Sequence, residues 1–592
     1  MRIAVLNYDR CQPRKCSKEC HKYCPRVRTG DETIYFGEKG KPIISEELCV
    51  GCGICVDKCP YKAIMIIGLP EALKEPPTHR YGTNGFVLYG LPTPQAGRVT
   101  GILGPNGIGK STVVNILSGT LVPNLGEYEE ESSWYRVIER YSGTQIQDYF
   151  KKLLNGKVKV SQKPQYIDKI PKAFNGKTRE LLEKADDRGV LDQLIERLDL
   201  DEIIDRNINE LSGGELQRVA IAACMVKDAE FYFFDEISPY LDIYQRINAA
   251  QLIQELAQEK AVLVVEHDLA ILDMLADVVH VAYGVPGAYG VITYPKGVRI
   301  AINQYLKGYL PEENIRIRPE PIEFEVHPPR AEAEVETLVE YGKFSKQYKD
   351  GFSLTSDGGS LKQGEVLGVV GPNGIGKSTF VKVLAGEIEP DDGELDFDIN
   401  ISFKPQYVKG DINLRVQDFL RSITSRFDTS YYQGEIARPL QIEELYDKML
   451  PNLSGGELQR VAIAACLSRD ADMYILDEPS AHLDVEQRSL TTKAIKRFAE
   501  NNKKTAMVVD HDIYMIDMLS ERLIVFEGKP AIYGVAKRPS SMQEGMNKFL
   551  SNLDITFRRD DDTSRPRVNK PNSRLDREQK AAGEYYYYDF DE

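Results

Sequence analysis

Long apolar runs are missing from this 592-residue sequence. The densest short run, Ala63 to Ile67, falls far below the roughly 18 residues needed to span a bilayer. The start, MRIAVLNYDRCQPRKC, lacks the long apolar core of a signal peptide. An excess of basic charge is missing too. Lys+Arg number 75 against 90 Asp+Glu, for a net charge of −15, which argues against a generally basic nucleic-acid binder. Cysteine is scarce outside one stretch: of 10, only Cys224 and Cys466 lie beyond Cys11–Cys59. Such clustering points to one cysteine-dependent module rather than a disulfide-stapled secreted protein. A cytoplasmic location with no membrane association is therefore expected. The length requires several domains.

Charge is unevenly placed. Residues 1–28 hold Arg2, Arg10, Arg14, Lys15, Lys18, Lys22, Arg26 and Arg28 against only Asp9 and Glu19. This is a basic end on an acidic protein; a solvated face is the plain reading, and a docking surface the sharper one.

Two stretches recur unchanged. GPNGIGKST stands at 104–112 and 371–379, and LSGGELQRVAIAAC at 211–224 and 453–466. Downstream landmarks keep step: 24 residues separate Ser212 from Glu236 and also Ser454 from Glu478. One interval differs. Lys110 to Gln165 is 55 residues, whereas Lys377 to Gln406 is 29. The first copy thus carries an insertion at about 127–158, with the only tryptophan, Trp134. Its arms, WYRVIERY and TQIQDYFKKLL, have helical spacing around Ser142-Gly143 and predict a helix-loop-helix. It is either a surface decoration with its own small core or a partner-binding site.

The GxxxxGK[ST] pattern is specific where a strand precedes it and a helix follows. RVTGILG and EVLGVVG are β-prone; STVVNILSG and STFVKVLAG are helical. Backbone N–H groups around Asn106, Gly107, Gly109 and Thr112, and around Asn373, Gly374, Gly376 and Thr379, would wrap ATP phosphates at a helix N-terminus. Lys110 and Lys377 would reach the β/γ-phosphates, and Ser111 and Ser378 would ligate Mg²⁺. FYFFDE and MYILDE read as buried strands. Asp235 and Asp477 supply a second Mg²⁺ contact, and Glu236 and Glu478 polarise the attacking water. His267 and His511, after VLVVE and AMVVD, stand where a γ-phosphate sensor would sit, and Gln165 and Gln406 complete the catalytic and Mg²⁺ sets. An aromatic upstream of each loop would stack on adenine: Tyr81 or Phe86, and Tyr341 or Phe352.

Cys49-x2-Cys52-x2-Cys55-x3-Cys59-Pro60 is a bacterial ferredoxin run. Cys11-x4-Cys16-x3-Cys20-x3-Cys24-Pro25 is a looser version. Eight thiolates suit two [4Fe–4S] clusters. By crossover, Cys24 joins Cys49, Cys52 and Cys55, while Cys59 joins Cys11, Cys16 and Cys20. Structural zinc is the competing use. The clusters either carry electrons or staple a small core.

Ser212-Gly213-Gly214 and Ser454-Gly455-Gly456 each open a probable helix. Here the residues resemble the ATP-binding cassette (ABC) family, in which the signature motif of one cassette closes over the nucleotide of the other. The resemblance implies that Lys110, Ser111, Asp235 and Glu236 share a site with Ser454–Gly456, and that Lys377, Ser378, Asp477 and Glu478 share one with Ser212–Gly214. Asp242 and Asp484 would link the two. Ile237 departs from the pattern, since Pro479 follows the second glutamate, and the sites are expected to fire unequally.

The ferredoxin-like start, twin cassettes, insertion and the glycine- and proline-marked segments after each cassette together resemble the E subfamily of ABC proteins. This is the ribosome-recycling ATPase family once called the RNase L inhibitor, here of archaeal type. The implied fold class is α/β: two ABC-type P-loop nucleotide-binding domains in tandem, preceded by a ferredoxin-like iron–sulfur domain. The expected divisions are 1–75 iron–sulfur, 76–283 first cassette, 284–325 first hinge, 326–530 second cassette, and 531–592 second hinge and tail. The resemblance implies a monomer whose paired cassettes close on ATP and swing the iron–sulfur domain against a release factor or its stalled-ribosome paralogue. The ribosome parts, and the ATPase stays on the small ribosomal subunit, touching rRNA and ribosomal proteins, with initiation factors as further partners. Two other readings compete: an ATP-gated electron-transfer enzyme, and a binding adaptor with little turnover.

Overall fold

Apolar residues on consecutive strand positions bury both faces of a sheet, and this pattern builds each cassette. Phe231, Tyr232, Phe233 and Phe234 are all buried in strand Phe231–Asp235. That strand runs parallel between Val160–Lys163 and Ala261–Val265. Arg98–Leu103 lies beside Ala261–Val265 and pairs in parallel with Val278–Val285. The second cassette repeats the arrangement as Ile401–Lys404, Met473–Asp477, Thr505–Val509, Val366–Val370 and Arg522–Lys529, all parallel. Register sets Asp235 opposite Val265 and Asp477 opposite Val509. The acidic strand ends and the loops after Leu103 and Val370 therefore meet at one edge, the usual place for a ligand in such sheets.

This computed structural model describes residues 2–586 except 7–9, 38–39, 46–47, 69–75, 325–335, 349–350, 394, 396–398, 407–409 and 411. The divisions expected near 75 and 326, and the tail beyond Tyr586, lie outside the described residues.

One continuous apolar cluster joins Ile243 and Leu269 of the first cassette, Val485 and Tyr514 of the second, and Phe324 and Phe557 from the segments that follow each. Those segments cross between the cassettes. Helix Val298–Lys307 places Arg299 and Asn303 against Asp560, at 3.0 Å each. Arg318 reaches Glu486 of the second cassette at 2.8 Å. In return, Arg567 grips Asp273 of the first cassette through two bonds, of 2.6 and 3.0 Å. Arg565, fully buried, adds a contact with Asp273 at 3.2 Å and with the Tyr514 hydroxyl at 3.1 Å. The start of the tyrosine-rich tail belongs to this joint: the Tyr586 hydroxyl donates to Asp517, which Arg559 also holds.

The insertion forms helices Trp134–Arg140 and Gln145–Leu154. It has no separate core. Val137, Ile146 and Phe150 bury against Val113, Leu117, Phe231 and Phe233 of the cassette, with Trp134 packed on Phe150 at 5.3 Å. Its outer face keeps Tyr135 exposed.

At the N-terminus, Arg2–Leu6 pairs antiparallel with Ile64–Gly68, and Ile34–Phe36 with Pro42–Ile44, around three short helices. Arg10 and Asn84 tie this ferredoxin-like domain to the cassettes. Arg10 donates to the Glu444 carbonyl at 2.8 Å. Asn84 closes a two-bond clamp on Ile44, accepting from its N–H and donating to its carbonyl, both at 2.9 Å. Asn84 is buried and sits at φ 53, a left-handed conformation that asparagine tolerates better than most residues. Replacing Asn84 with Ala removes both bonds and strands two buried backbone groups, a loss of about 1–3 kcal/mol at this contact. Faster hydrogen exchange at the Ile44 amide is the expected outcome, and unchanged protection would show that the domain is held elsewhere.

Candidate active sites at the cassette interface

Gly109 and Gly376 begin helices Lys110–Leu117 and Lys377–Leu384 at φ 89 and φ 101, which favour glycine. A Cβ on Gly109 would lie 2.6 Å from the Phe86 ring, and one on Gly376 would lie 2.9 Å from the Phe352 ring. Both aromatics thus rest on the phosphate loops. Tyr81 is exposed, its hydroxyl 3.3 Å from Thr112. Tyr341, expected beside the second loop, is instead buried in the cassette core against Phe380. Its intended place is taken by Tyr348, whose hydroxyl lies 3.5 Å from Thr379 as Tyr81's does from Thr112. The reason is spacing: Tyr348 precedes Phe352 by four residues and Tyr81 precedes Phe86 by five, while Tyr341 belongs to strand Thr337–Tyr341 with its ring facing inward.

Lys110 donates to the Gly104 carbonyl at 2.9 Å and meets His267 Nε2 at 2.8 Å. Lys377 donates to the carbonyls of Gly371 and Pro372. Burial lowers the pKa of both lysines, opposed by nearby carboxylates such as Glu236 and Asp242. Ser378 donates to Asp477 at 3.0 Å. Gln165 and Gln406 donate to Glu236 and Glu478 at 2.7 and 2.6 Å. His267 and His511 stand 3.7 Å from the same two carboxylates. Burial, with Lys110 or Lys377 adding like charge, keeps both imidazoles neutral. Glu236 and Glu478 adopt φ 52 and φ 48, a strain of about 1–3 kcal/mol each, which aims the carboxylates off their strands.

Each site draws on both cassettes. The Asn106 N–H donates to Asp484 at 3.1 Å, and the Asn373 N–H to Asp242 at 2.9 Å. A cleft of about 420 Å³ brings Tyr81, Phe86, Asn106, Gly107, Gly109, Lys110, Ser111, Thr112, Gln165, Asp235 and Glu236 together with Ser454, Gly455 and Gly456 of the other cassette. At the second site Gly214 faces Asn373, where a Cβ would lie 3.5 Å from its amide nitrogen. Ser212 and Ser454 cap helices Gly213–Met225 and Gly455–Leu467, with Glu215 and Glu457 closing capping boxes. Two arginines lace the interface. Arg246 binds Asp268 at 2.7 Å and the His511 carbonyl at 3.1 Å, while Arg488 binds Asp512 and, at 3.4 Å, the His267 carbonyl.

The sequence reading passed over Lys163 and Lys404. Both are fully buried and donate to the carbonyls of the acidic pairs: Lys163 to Asp235 and Glu236, Lys404 to Asp477 and Glu478. Burial pulls each ammonium down to about 8. The signal was available, because KPQY recurs at 163–166 and 404–407.

In the N-terminal domain the eight clustered cysteines divide between two hollows. Cys11, Cys16, Cys20 and Cys59 line one, and Cys24, Cys49, Cys52 and Cys55 the other. Burial, with neighbouring thiolates adding repulsion, pushes Cys20 up to about 11 and Cys55 up to about 12. Four thiolates converging on an apolar hollow match the donor set of an iron–sulfur cluster, whose iron neutralises the charge they would otherwise concentrate. The Ala63 N–H donates to Cys59 Sγ at 3.4 Å, the kind of bond that supports a ligating sulfur.

Fold and sites together define a non-transporter ABC-type ATPase with an iron–sulfur domain, and no helix among the described residues is long and apolar enough to cross a membrane. The ABC transporter family matches residues 93–238 and 354–481. A possible Fer4-like domain in RNase L inhibitor matches 1–32, and a 4Fe-4S binding domain matches 42–65. The chain is 54% identical to an ABC transporter ATP-binding protein of Methanocaldococcus jannaschii, over 100% of this chain and 98% of that one. A solved structure of ribosome-bound archaeal Pelota and ABCE1 matches with a TM-score of 0.95 at 54% identity, over 99% of both chains. A complex of archaeal ribosomal stalk protein aP1 with the archaeal ribosome recycling factor aABCE1 matches with 0.81 at 55% identity, over 87% of this chain and 100% of that one. The chain belongs to the ABCE1 family.

Burial, reinforced by Asp477 and Asp510 and opposed by Lys377, pushes Glu478 up to about 7. A general base must be ionised, so kcat/KM at the second site, measured with Glu236→Gln silencing the first, is expected to fall with pH below about 7 and level off above it. A flat profile between about pH 6 and 8 would remove Glu478 from this role.

Proposed function

We propose that this protein is a cytoplasmic, ATP-driven ribosome recycling factor. Acting with a release factor or its stalled-ribosome paralogue, it splits ribosomes and then stays on the small subunit, where initiation factors are further partners. The observation that carries the reading is the crossing of parts. Each ATP site needs both cassettes, each hinge segment grips the opposite cassette, and the iron–sulfur domain touches both through Asn84 and Arg10. Closure on nucleotide therefore displaces the basic N-terminal domain as one piece with the cassettes. The same ABCE1 relatives are found bound to the ribosome and to its stalk protein.

At each site the chain's residues divide the chemistry. Lys110 and Lys377 hold the β/γ-phosphates, and Ser454–Gly456 and Ser212–Gly214 close from the opposite side. Glu236 and Glu478 orient the attacking water, Gln165 and Gln406 hold those carboxylates, and neutral His267 and His511 donate toward the γ-phosphate. Phe86, Phe352, Tyr81 and Tyr348 supply the adenine platforms. Mg²⁺, which Ser111, Asp235 and Gln165 or Ser378, Asp477 and Gln406 would hold, supplies charge neutralisation at the phosphates. Two [4Fe–4S] clusters, on Cys11, Cys16, Cys20 and Cys59 and on Cys24, Cys49, Cys52 and Cys55, brace a domain too small for a large core. An electron-transfer role is not favoured, since it would require neither composite ATP sites nor a crossed hinge.

Ribosomes sedimented with the protein, a release factor and a non-hydrolysable ATP analogue are expected to split into subunits. Lys110→Ala combined with Lys377→Ala should abolish splitting, by an order of magnitude or more in rate. Glu236→Gln combined with Glu478→Gln should permit splitting and trap the protein on the small subunit. Whole ribosomes under every nucleotide condition would overturn the function.

A further inference from the structure

The turns that follow the two candidate catalytic glutamates are wired differently, and the difference is matched at a second position. In the first cassette the residue after Glu236 is Ile237, whose N–H donates to Glu266 Oε2 at 2.9 Å. The other oxygen of Glu266 accepts from the N–H groups of His267 and Asp268, at 3.2 and 3.1 Å. Glu266 thus links the residue after the base to the segment that carries the γ-phosphate sensor, beside the backbone bond from the Glu236 N–H to the Val265 carbonyl at 2.9 Å. In the second cassette Pro479 replaces Ile237, and proline has no N–H to give. The partner acid is shorter by one methylene. Asp510 reaches past the proline and accepts from the Ser480 N–H at 2.9 Å and the Ser480 hydroxyl at 2.7 Å, while its shared oxygen still accepts from the Asp512 N–H at 2.8 Å. The counterpart hydroxyl, on Ser238, is buried and has no hydrogen-bond partner among the described residues. Glu266 and Asp510 are both buried.

We propose that Glu266 with Ile237, and Asp510 with Pro479 and Ser480, are two alternative matched sets of positioning residues that lock each catalytic glutamate to its switch histidine. Glu266 does not line the first-site cleft, and each acid bonds to the residues on either side of the reacting groups, Glu266 through backbone N–H groups and Asp510 through these and the Ser480 hydroxyl. A mismatched pair leaves a buried carboxylate oxygen or a buried N–H without its partner, which loosens the base relative to the sensor. The two sites therefore differ in turnover from within their own walls, independently of the insertion and the iron–sulfur domain. The inference rests on Glu236 and Glu478 being the bases.

The test is a double-mutant cycle on the full-length, cluster-loaded protein, with Glu478→Gln silencing the second site and single-turnover ATP hydrolysis read at the first. Ile237→Pro and Glu266→Asp singly should each lower kcat about tenfold or more, with KM for ATP held within about twofold. Together they rebuild the second cassette's set and give the Ser238 hydroxyl an acceptor, so kcat should return to within about threefold of the parent. Losses that multiply, or a KM that rises in step, would overturn the pairing. If Ile237→Pro fails to fold, the reciprocal cycle decides on the same criteria: Pro479→Ile with Asp510→Glu, in a Glu236→Gln background. Unchanged first-site turnover in Glu236→Gln alone would instead remove the assignment of the base and leave the hydrogen-bond pairing standing.

Discussion

Everything in this molecule depends on a pair of hydrogen bonds that cross from one cassette to the other. Asp484 accepts from the first phosphate loop at Asn106, and Asp242 from the second at Asn373. Each aspartate also caps its own helix, Val485–Asn502 or Ile243–Ala257. A long helix in one cassette is thereby fixed to the phosphate loop of the other. Arg246 and Arg488, one turn further along the same helices, extend the tie to the carbonyls of the opposite histidines. Arg246 and its partner Asp268 are both buried, and removing one member of such a pair costs about 3–5 kcal/mol; Arg488 is part-buried beside a buried Asp512. Neither site can be reshaped without moving the other cassette, so local chemistry is converted into rigid-body displacement.

The single-copy parts attach where that displacement is greatest use. The insertion packs on helix Lys110–Leu117 through Val113, Ile116 and Leu117, so it travels with the first phosphate loop. Asn84, which holds the iron–sulfur domain, lies in the short turn between Tyr81 and Phe86 and so between two adenine-platform candidates. The opposite ends of the cassettes are joined by buried ion pairs around Asp273, Asp517 and Asp560, where Arg565 makes its contacts out of water. A charged joint of this kind resists separation but has several geometries in which its carboxylates stay satisfied, unlike a jigsaw of apolar side chains.

Much of this was legible in the sequence because the chain states it twice. Identical motifs at equal spacing located both phosphate loops, both acidic strand ends and both signature helices, and the one unequal interval located the insertion helices. Repetition was left unused at one position. Tyr341 was named only as an aromatic upstream of the loop, but strand Thr337–Tyr341 turns it into the core, and Tyr348, as far before Gly371 as Tyr81 is before Gly104, takes the place. Lys163 and Lys404 escaped because a buried lysine serving carbonyls has no residue-type signature, only the repeated KPQY. A separate small core was one of two readings of the insertion, beside a partner-binding site, and its apolar face instead completes the core of the cassette, which periodicity alone cannot distinguish. Contacts between distant segments, such as Asn84 with Ile44 or Arg10 with Glu444, carry no local pattern at all.

The strongest constraint on the chemistry is that both sites hold buried charges, Glu236, Asp477, Glu478 and Lys377 among them. Burial raises the carboxyls of Asp235 and Asp477 and lowers the ammonium groups of Lys110 and Lys377. Charges in such a site are favourable only in the company of their partners. Lys110 bonds to a carbonyl and meets a neutral imidazole, and Ser378 donates to Asp477, so each group has a neighbour of its own cassette. Glu236 and Glu478 sit at positive φ, with Gln165 and Gln406 bonded to their carboxylates and Lys163 and Lys404 to their backbone carbonyls. The bonds between the cassettes are made by other groups, Asp242 and Asp484 with the phosphate loops and Arg246 and Arg488 with the carbonyls of His511 and His267, so each carboxylate meets the interface only through those loops and histidines.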